Sequence, residues 1–115
     1  MLALIVTLVV AAAHAAFMVL ETFLWTTPTG RRIFAQSAEQ AEITKVLAQN
    51  QGVYNGGVAV LLAWAALGEQ RATVIALLAF VIAMGVYGGI TAKRTILFFQ
   101  ALPAAIALGL VLLRL

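Results

Sequence analysis

Glu21 is the only acid inside an apolar run of this chain, and His14 lies seven residues before it. On a helix that spacing puts the two side chains two turns apart on nearly the same face. A carboxylate in such a setting suits a proton carrier, a cation ligand or a general base. The structural alternative is that Glu21 reaches headgroup water or pairs with Arg31, Lys93 or Arg94. For His14 the alternative is a hydrogen bond to a neighbouring helix. A second polar group follows in Gln49-Asn50-Gln51-Gly52-Val53-Tyr54-Asn55-Gly56-Gly57. Gln51, Tyr54, Asn55 and Val58 share one helical stripe. Gly52, Gly56, Ala59 and Ala63 share the adjacent one, a small-residue surface that lets helices approach closely. Amides and a phenol beside such a surface either bind a ligand or hold helices together. Gly85 and Gly89 make a second close-approach face, with Tyr87, Thr91 and Arg94 on another face of the same segment. Gln100 precedes Pro103, which cannot donate to the carbonyl of Phe99 and so opens the helix beside a polar side chain.

Positioning these groups takes helices that prefer lipid. Of 115 residues, 64% are hydrophobic and 10% charged, whereas a soluble domain is about half apolar and about a quarter charged. So small a globule cannot bury that excess. Four apolar runs, 2–25, 46–67, 72–92 and 95–113, each approach the roughly 20 residues that cross a hydrocarbon core as a helix. The fold expected is all-α: a single four-helix transmembrane domain over 1–115, a compact bundle with its fourth helix kinked at Pro103. Residues 1–10 lack a positive leading region, and the first run is expected to be a retained span. Ser37-Ala38-Glu39-Gln40 reads as a capping box, so the second helix starts near Ala38 with an amphipathic lead-in over 38–45. Thr26-Thr27-Pro28-Thr29-Gly30 reads as an exit from the first helix.

The net charge is +3, and the absence of cysteine excludes disulfides and thiolate chemistry. No basic patch interleaved with aromatics points to nucleic acid. The residue pattern suggests no metal or cofactor. Arg31, Arg32, Lys45, Lys93 and Arg94 fall on one side of the expected topology, Arg71 and Arg114 on the other. That bias places the first and third loops in the cytoplasm and both termini in the periplasm. Glu21, Gln51, Asn55, Tyr87, Thr91 and Gln100 then share one depth, and Glu21 is expected within reach of an amide such as Asn55. The opposite halves are almost purely apolar, with Trp64 and Arg114 as interface anchors.

Leu20-Glu21-Thr22-Phe23-Leu24-Trp25-Thr26-Thr27-Pro28-Thr29-Gly30, then Thr44-Lys45-Val46-Leu47-Ala48-Gln49-Asn50-Gln51-Gly52-Val53-Tyr54-Asn55-Gly56, Tyr87-Gly88-Gly89 and Gln100-Ala101-Leu102-Pro103 resemble the bacterial membrane family known as domain of unknown function 1304. The resemblance covers nearly the whole chain, and the second stretch is its most specific part. It implies a four-helix inner-membrane protein and brings no catalytic residues. After the first-helix histidine this chain has Ala15 and Ala16 where the family has aromatics, so no stacking role is expected there.

Function narrows to three classes. The leading expectation is an oligomer in the lipid bilayer that binds or transports a small polar or cationic ligand in a cytoplasm-facing pocket. Glu21 would supply charge; Asn50, Gln51, Tyr54, Asn55, Tyr87 and Gln100 would supply hydrogen bonds, with His14, Lys93 and Arg94 secondary. The rivals are a membrane enzyme acting on a lipophilic substrate, with Glu21 or Tyr54 in acid–base chemistry, and an assembly protein whose polar contacts are structural.

Overall fold

The computed structural model describes Met1–Leu115, and all its regular elements are helical. They are α1 (Leu2–Thr22), α2 (Pro28–Ile33), α3 (Ala38–Leu67), α4 (Arg71–Thr91), a π-helical segment (Leu97–Ala101) and α5 (Leu102–Leu112). Two of them, Leu2–Thr22 and Arg71–Thr91, are long and apolar enough to cross a membrane, with mean hydropathies of 2.5 and 2.3. The expected run 46–67 is the later part of the 30-residue α3, where Asn50, Gln51 and Asn55 dilute the apolar character. The last run is shorter, an apolar stretch over Leu97–Leu112. The chain divides into two compact units, one of residues Ala13–Ala59 and one of Met1–Ala12 with Val60–Leu115.

In the unit of 13–59, α3 begins at Ala38 because Ser37 and Gln40 close a capping box. The Gln40 N–H donates to Ser37 Oγ at 3.1 Å, and the Ser37 N–H donates to Gln40 Oε1 at 2.9 Å. Both satisfy backbone donors that a helix start leaves open. Glu42 and Lys45 form an ion pair one turn on. The stretch around Pro28 differs from expectation: it starts a helix instead of only ending one. Thr27 is the N-cap of α2, its hydroxyl accepting from the Gly30 N–H at 3.2 Å, and Pro28 stands in the first turn. Proline suits that position because its missing N–H is not needed and its φ is already helical. Glycine at position 30 is required by close approach: a Cβ there would strike the carbonyl oxygen of Leu24.

In the other unit, α4 buries Val74, Leu78, Val81, Gly85 and Gly89. Their three- and four-residue spacing makes one stripe, against which the π-helical segment and α5 pack. Ala101 of the π-helical segment and Ala104 and Ala107 of α5 are their buried positions. The opening expected at Pro103 takes the form of the π turn itself. The Leu102 N–H bonds the carbonyl of Leu97, five residues back, which relieves the crowding of the proline ring against the carbonyl of Phe99.

Three helices end in the same cap with an unusual residue. Ala35, Glu69 and Arg114 have φ of 51°, 55° and 58°, the left-handed region that normally takes glycine. Each donates its N–H three residues back, while the next residue donates five residues back: Gln36 to Arg31, Gln70 to Ala65 and Leu115 to Leu110. These are Schellman caps with a side chain at the position that costs about 1 kcal/mol relative to glycine.

Candidate functional site

The polar centre of the 13–59 unit is built on a close contact between α1 and α3. Gly52 is buried, and a Cβ on it would collide with Thr22 Oγ1 and lie 3.0 Å from the Thr22 nitrogen and 3.1 Å from Glu21 Cβ. One turn on, a Cβ on Gly56 would lie 3.0 Å from Met18 Cγ. The Gly52/Gly56 stripe therefore brings the two backbones together.

That approach carries Asn55 to Glu21. Asn55 Nδ2 donates to Glu21 Oε1 at 2.7 Å, at the short end of the N–H···O range. Asn55 is 9% exposed and Glu21 half-buried. Glu21 Oε2 accepts no hydrogen bond from the protein. The carboxylate is thus oriented through one oxygen and left with acceptor capacity on the other. His14 is buried, its ring edge-on to Phe17 at 5.8 Å between centroids. Beside this centre, Thr22 Oγ1 is buried without a hydrogen-bond partner.

The remaining candidates are placed differently. Asn50, Gln51 and Tyr54 lie on exposed faces of α3, with Tyr54 68% exposed, so within this unit Asn55 alone of the expected amides meets Glu21. Tyr87, Lys93, Arg94 and Gln100 belong to the other unit. There Tyr87, Lys93 and Arg94 are exposed and Gln100 is half-buried on the π turn. Gly85 and Gly89 lie against Ala101 and Leu97 respectively.

One anchor escaped the sequence reading. Trp25 Nε1 donates to Thr44 Oγ1 at 3.0 Å, and the Thr44 hydroxyl donates to the carbonyl of Gln40 at 2.7 Å. The Trp25 ring also packs on Phe34, with centroids 4.6 Å apart. These contacts tie the 23–37 connection to the start of α3, next to the end of α1 that carries Glu21. A tryptophan four residues beyond the lone acid was the available signal.

A family described as "Protein of unknown function (DUF1304)" matches residues 8–112. The uncharacterized protein YpaA of Lactococcus lactis subsp. lactis (strain IL1403) is 34% identical over 111 residues, 93% of each chain. No solved structure matches the chain.

Proposed function

The chain belongs to the DUF1304 family, and on that footing we propose that it is a small multi-pass membrane protein that binds or carries a small polar or cationic ligand at Glu21. The observation that carries this reading is the half-satisfied carboxylate, held by Asn55 through one oxygen and open at the other. Such a group accepts a cation or a hydrogen-bond donor without first losing a protein partner. Asn50, Gln51 and Tyr54 on the same helix as Asn55 are the residues proposed for the rest of the ligand shell, with His14 in a secondary role.

Placement in a bacterial inner membrane with four spans is part of the proposal. It is supported by α1 and α4, by the apolar later half of α3, and by large apolar side chains on the outside. Val9, Val60 and Phe80 are each at least half exposed. The buried positions mix small and polar residues, such as Ala11, Ala59, Ala65 and Thr7, with Val10, Leu62 and Val81, and small residues of this kind let helices approach closely in lipid. Exposed Asn50, Gln51 and Tyr54 at membrane depth support a homo-oligomer, since a second copy would shield polar groups that lipid cannot satisfy. The charge bias orients both termini outward. In otherwise cysteine-free protein, Gln70→Cys is expected to react with an impermeant thiol reagent from outside and Gln36→Cys not to; the reverse pattern sinks the orientation.

The site itself is tested in proteoliposomes with a panel of small organic cations from ethylammonium to tetraethylammonium. Wild type is expected to take up at least one of them, and Glu21→Gln, which keeps an acceptor for Asn55, is expected to lose uptake while folding normally. Equal uptake by both proteins refutes a role for the carboxylate.

A further inference from the structure

A cleft of about 290 Å³ in the unit of 1–12 and 60–115 gathers charges that the Glu21 site does not use. It lies where the first turns of α1, the α3–α4 turn and the end of α5 meet, and its walls include Leu4, Thr7, Glu69, Arg71, Val111 and Arg114. Met1 and Leu115 border it as well.

Three observations give the cleft a chemistry. Thr7 is 1% exposed, and its Oγ1 is buried with no hydrogen-bond partner. Glu69 forms no ion pair with either arginine at its rim. Arg71 is held in place through Nε and one terminal nitrogen, which donate to the carbonyls of Val111 and Leu112 at 3.4 Å, and this leaves further guanidinium donors for a ligand. Glu69 and Arg114 are also two of the three residues that hold a Schellman cap in the left-handed region without being glycine. Strain retained at two charged positions on the rim of one cleft points to a use for their side chains.

We propose that this cleft binds the headgroup of a phospholipid bearing a phosphate and a primary ammonium. The phosphate meets Arg71 and Arg114, whose planar donors fit its oxygens. The ammonium meets Glu69, and Thr7 turns its buried hydroxyl toward the cleft to donate to an ester or phosphate oxygen. A headgroup fits the volume, which is at the lower limit of ~300 Å³ for ligand sites, while the acyl chains run outside along exposed Ile5 and Val9 of α1. A headgroup that is only anionic leaves Glu69 without a partner, and a quaternary ammonium cannot donate to it.

The inference rests on the membrane reading above. It is tested by reconstituting the full chain in an equimolar mixture of short-chain phosphatidylethanolamine, phosphatidylglycerol and phosphatidylcholine, and identifying retained lipid by native mass spectrometry. Phosphatidylethanolamine is expected to be retained over the other two by roughly tenfold, the worth of one charge-assisted contact. Glu69→Gly and Arg114→Gly are expected to lose that preference with thermal midpoints no lower than wild type, because glycine relieves the cap. Arg114→Lys is expected to keep part of the preference. Unselective retention by wild type, or unchanged preference in both glycine variants, overturns the proposal. Displacement of the lipid by an equal concentration of phosphoethanolamine keeps the headgroup chemistry but overturns the lipid as its source. A chain that enters membranes yet retains no lipid sinks the cleft alone; one that stays in solution sinks the membrane reading with it.

Discussion

Gly52 and Gly85 meet the same packing requirement with opposite neighbours. Both are buried on helices and both leave no room for a Cβ. Gly52 faces Thr22 and the stem of Glu21, so its contact sets a carboxylate beside Asn55. Gly85 faces Ala101 on the π turn, where a Cβ would lie 2.8 Å from the Ala101 nitrogen and 2.9 Å from its Cβ. One close approach delivers a polar pair and the other a dry seam of alanines. A stripe of small residues announces that another helix will come close; the residues opposite decide whether the contact is structural or chemical.

Substitutions at the two glycines test the comparison most strongly. Gly85→Ala drives a methyl into backbone that cannot rotate away and is expected to cost about 1–3 kcal/mol, as overpacking does. Gly52→Ala is expected to cost a similar amount or somewhat less, since the Thr22 hydroxyl can turn aside while its nitrogen cannot. Thermal unfolding in detergent reads both. The contrast predicts a second difference: Gly52→Ala also lowers ligand uptake at Glu21, and Gly85→Ala in protein that still folds does not. Equal effects on uptake would break the assignment of chemistry to one contact and packing to the other.

A middle-sized effect is expected at the amides. Asn55→Ala removes the donor from Glu21 Oε1 and is expected to destabilise by about 1–3 kcal/mol, the usual cost of stripping a hydrogen bond from a charged or buried acceptor. Gln100, the amide of the other region, has no hydrogen-bond partner in the protein. Gln100→Leu is expected to stay within about 0.5 kcal/mol of wild type. If the two variants unfold at the same temperature, the Glu21–Asn55 bond adds nothing to stability.

The smallest effect should change sign. Nothing lies within 4 Å of a Cβ built on Gly57, so Gly57→Ala is expected to stabilise α3 by roughly 0.5–1 kcal/mol through helix propensity alone. A loss of stability would mean that Gly57, too, is covered, as it would be in an oligomer packed through that face.

Much of the Glu21 site was legible because it follows from periodicity. A lone acid needs a partner, and the amide stripe adjoins the glycine stripe. The capping box at Ser37 and Gln40 was legible for a similar reason, since its two bonds depend on a fixed three-residue spacing. The role of Pro28 was not, because proline both follows helix ends and opens helices, and only the Thr27 hydroxyl decides between them. The π turn escaped as well: Pro103 tells that the ladder must open, not that five-residue bonds will replace it. Glu69 and Arg114 were least legible of all, because a cap that prefers glycine gives no sign when a charged residue occupies it. The outward faces of Gln51 and Tyr54 could not be read from a stripe assignment that groups residues within about one turn of Asn55.

The indole of Trp25 has a consequence for measurement. The chain holds two tryptophans, and each compact unit carries one. Trp25 is bonded to Thr44 and stacked near Phe34, whereas Trp64 is 57% exposed. Trp64→Phe therefore leaves a single tryptophan, next to the Glu21 end of α1, and Trp25→Phe leaves a single one in the unit that contains the 290 Å³ cleft. Quenching by brominated lipid would report on Trp64, while a shift in the Trp25 emission maximum would report on ligand entry beside Glu21, so the two sites can be watched by two colours of the same probe.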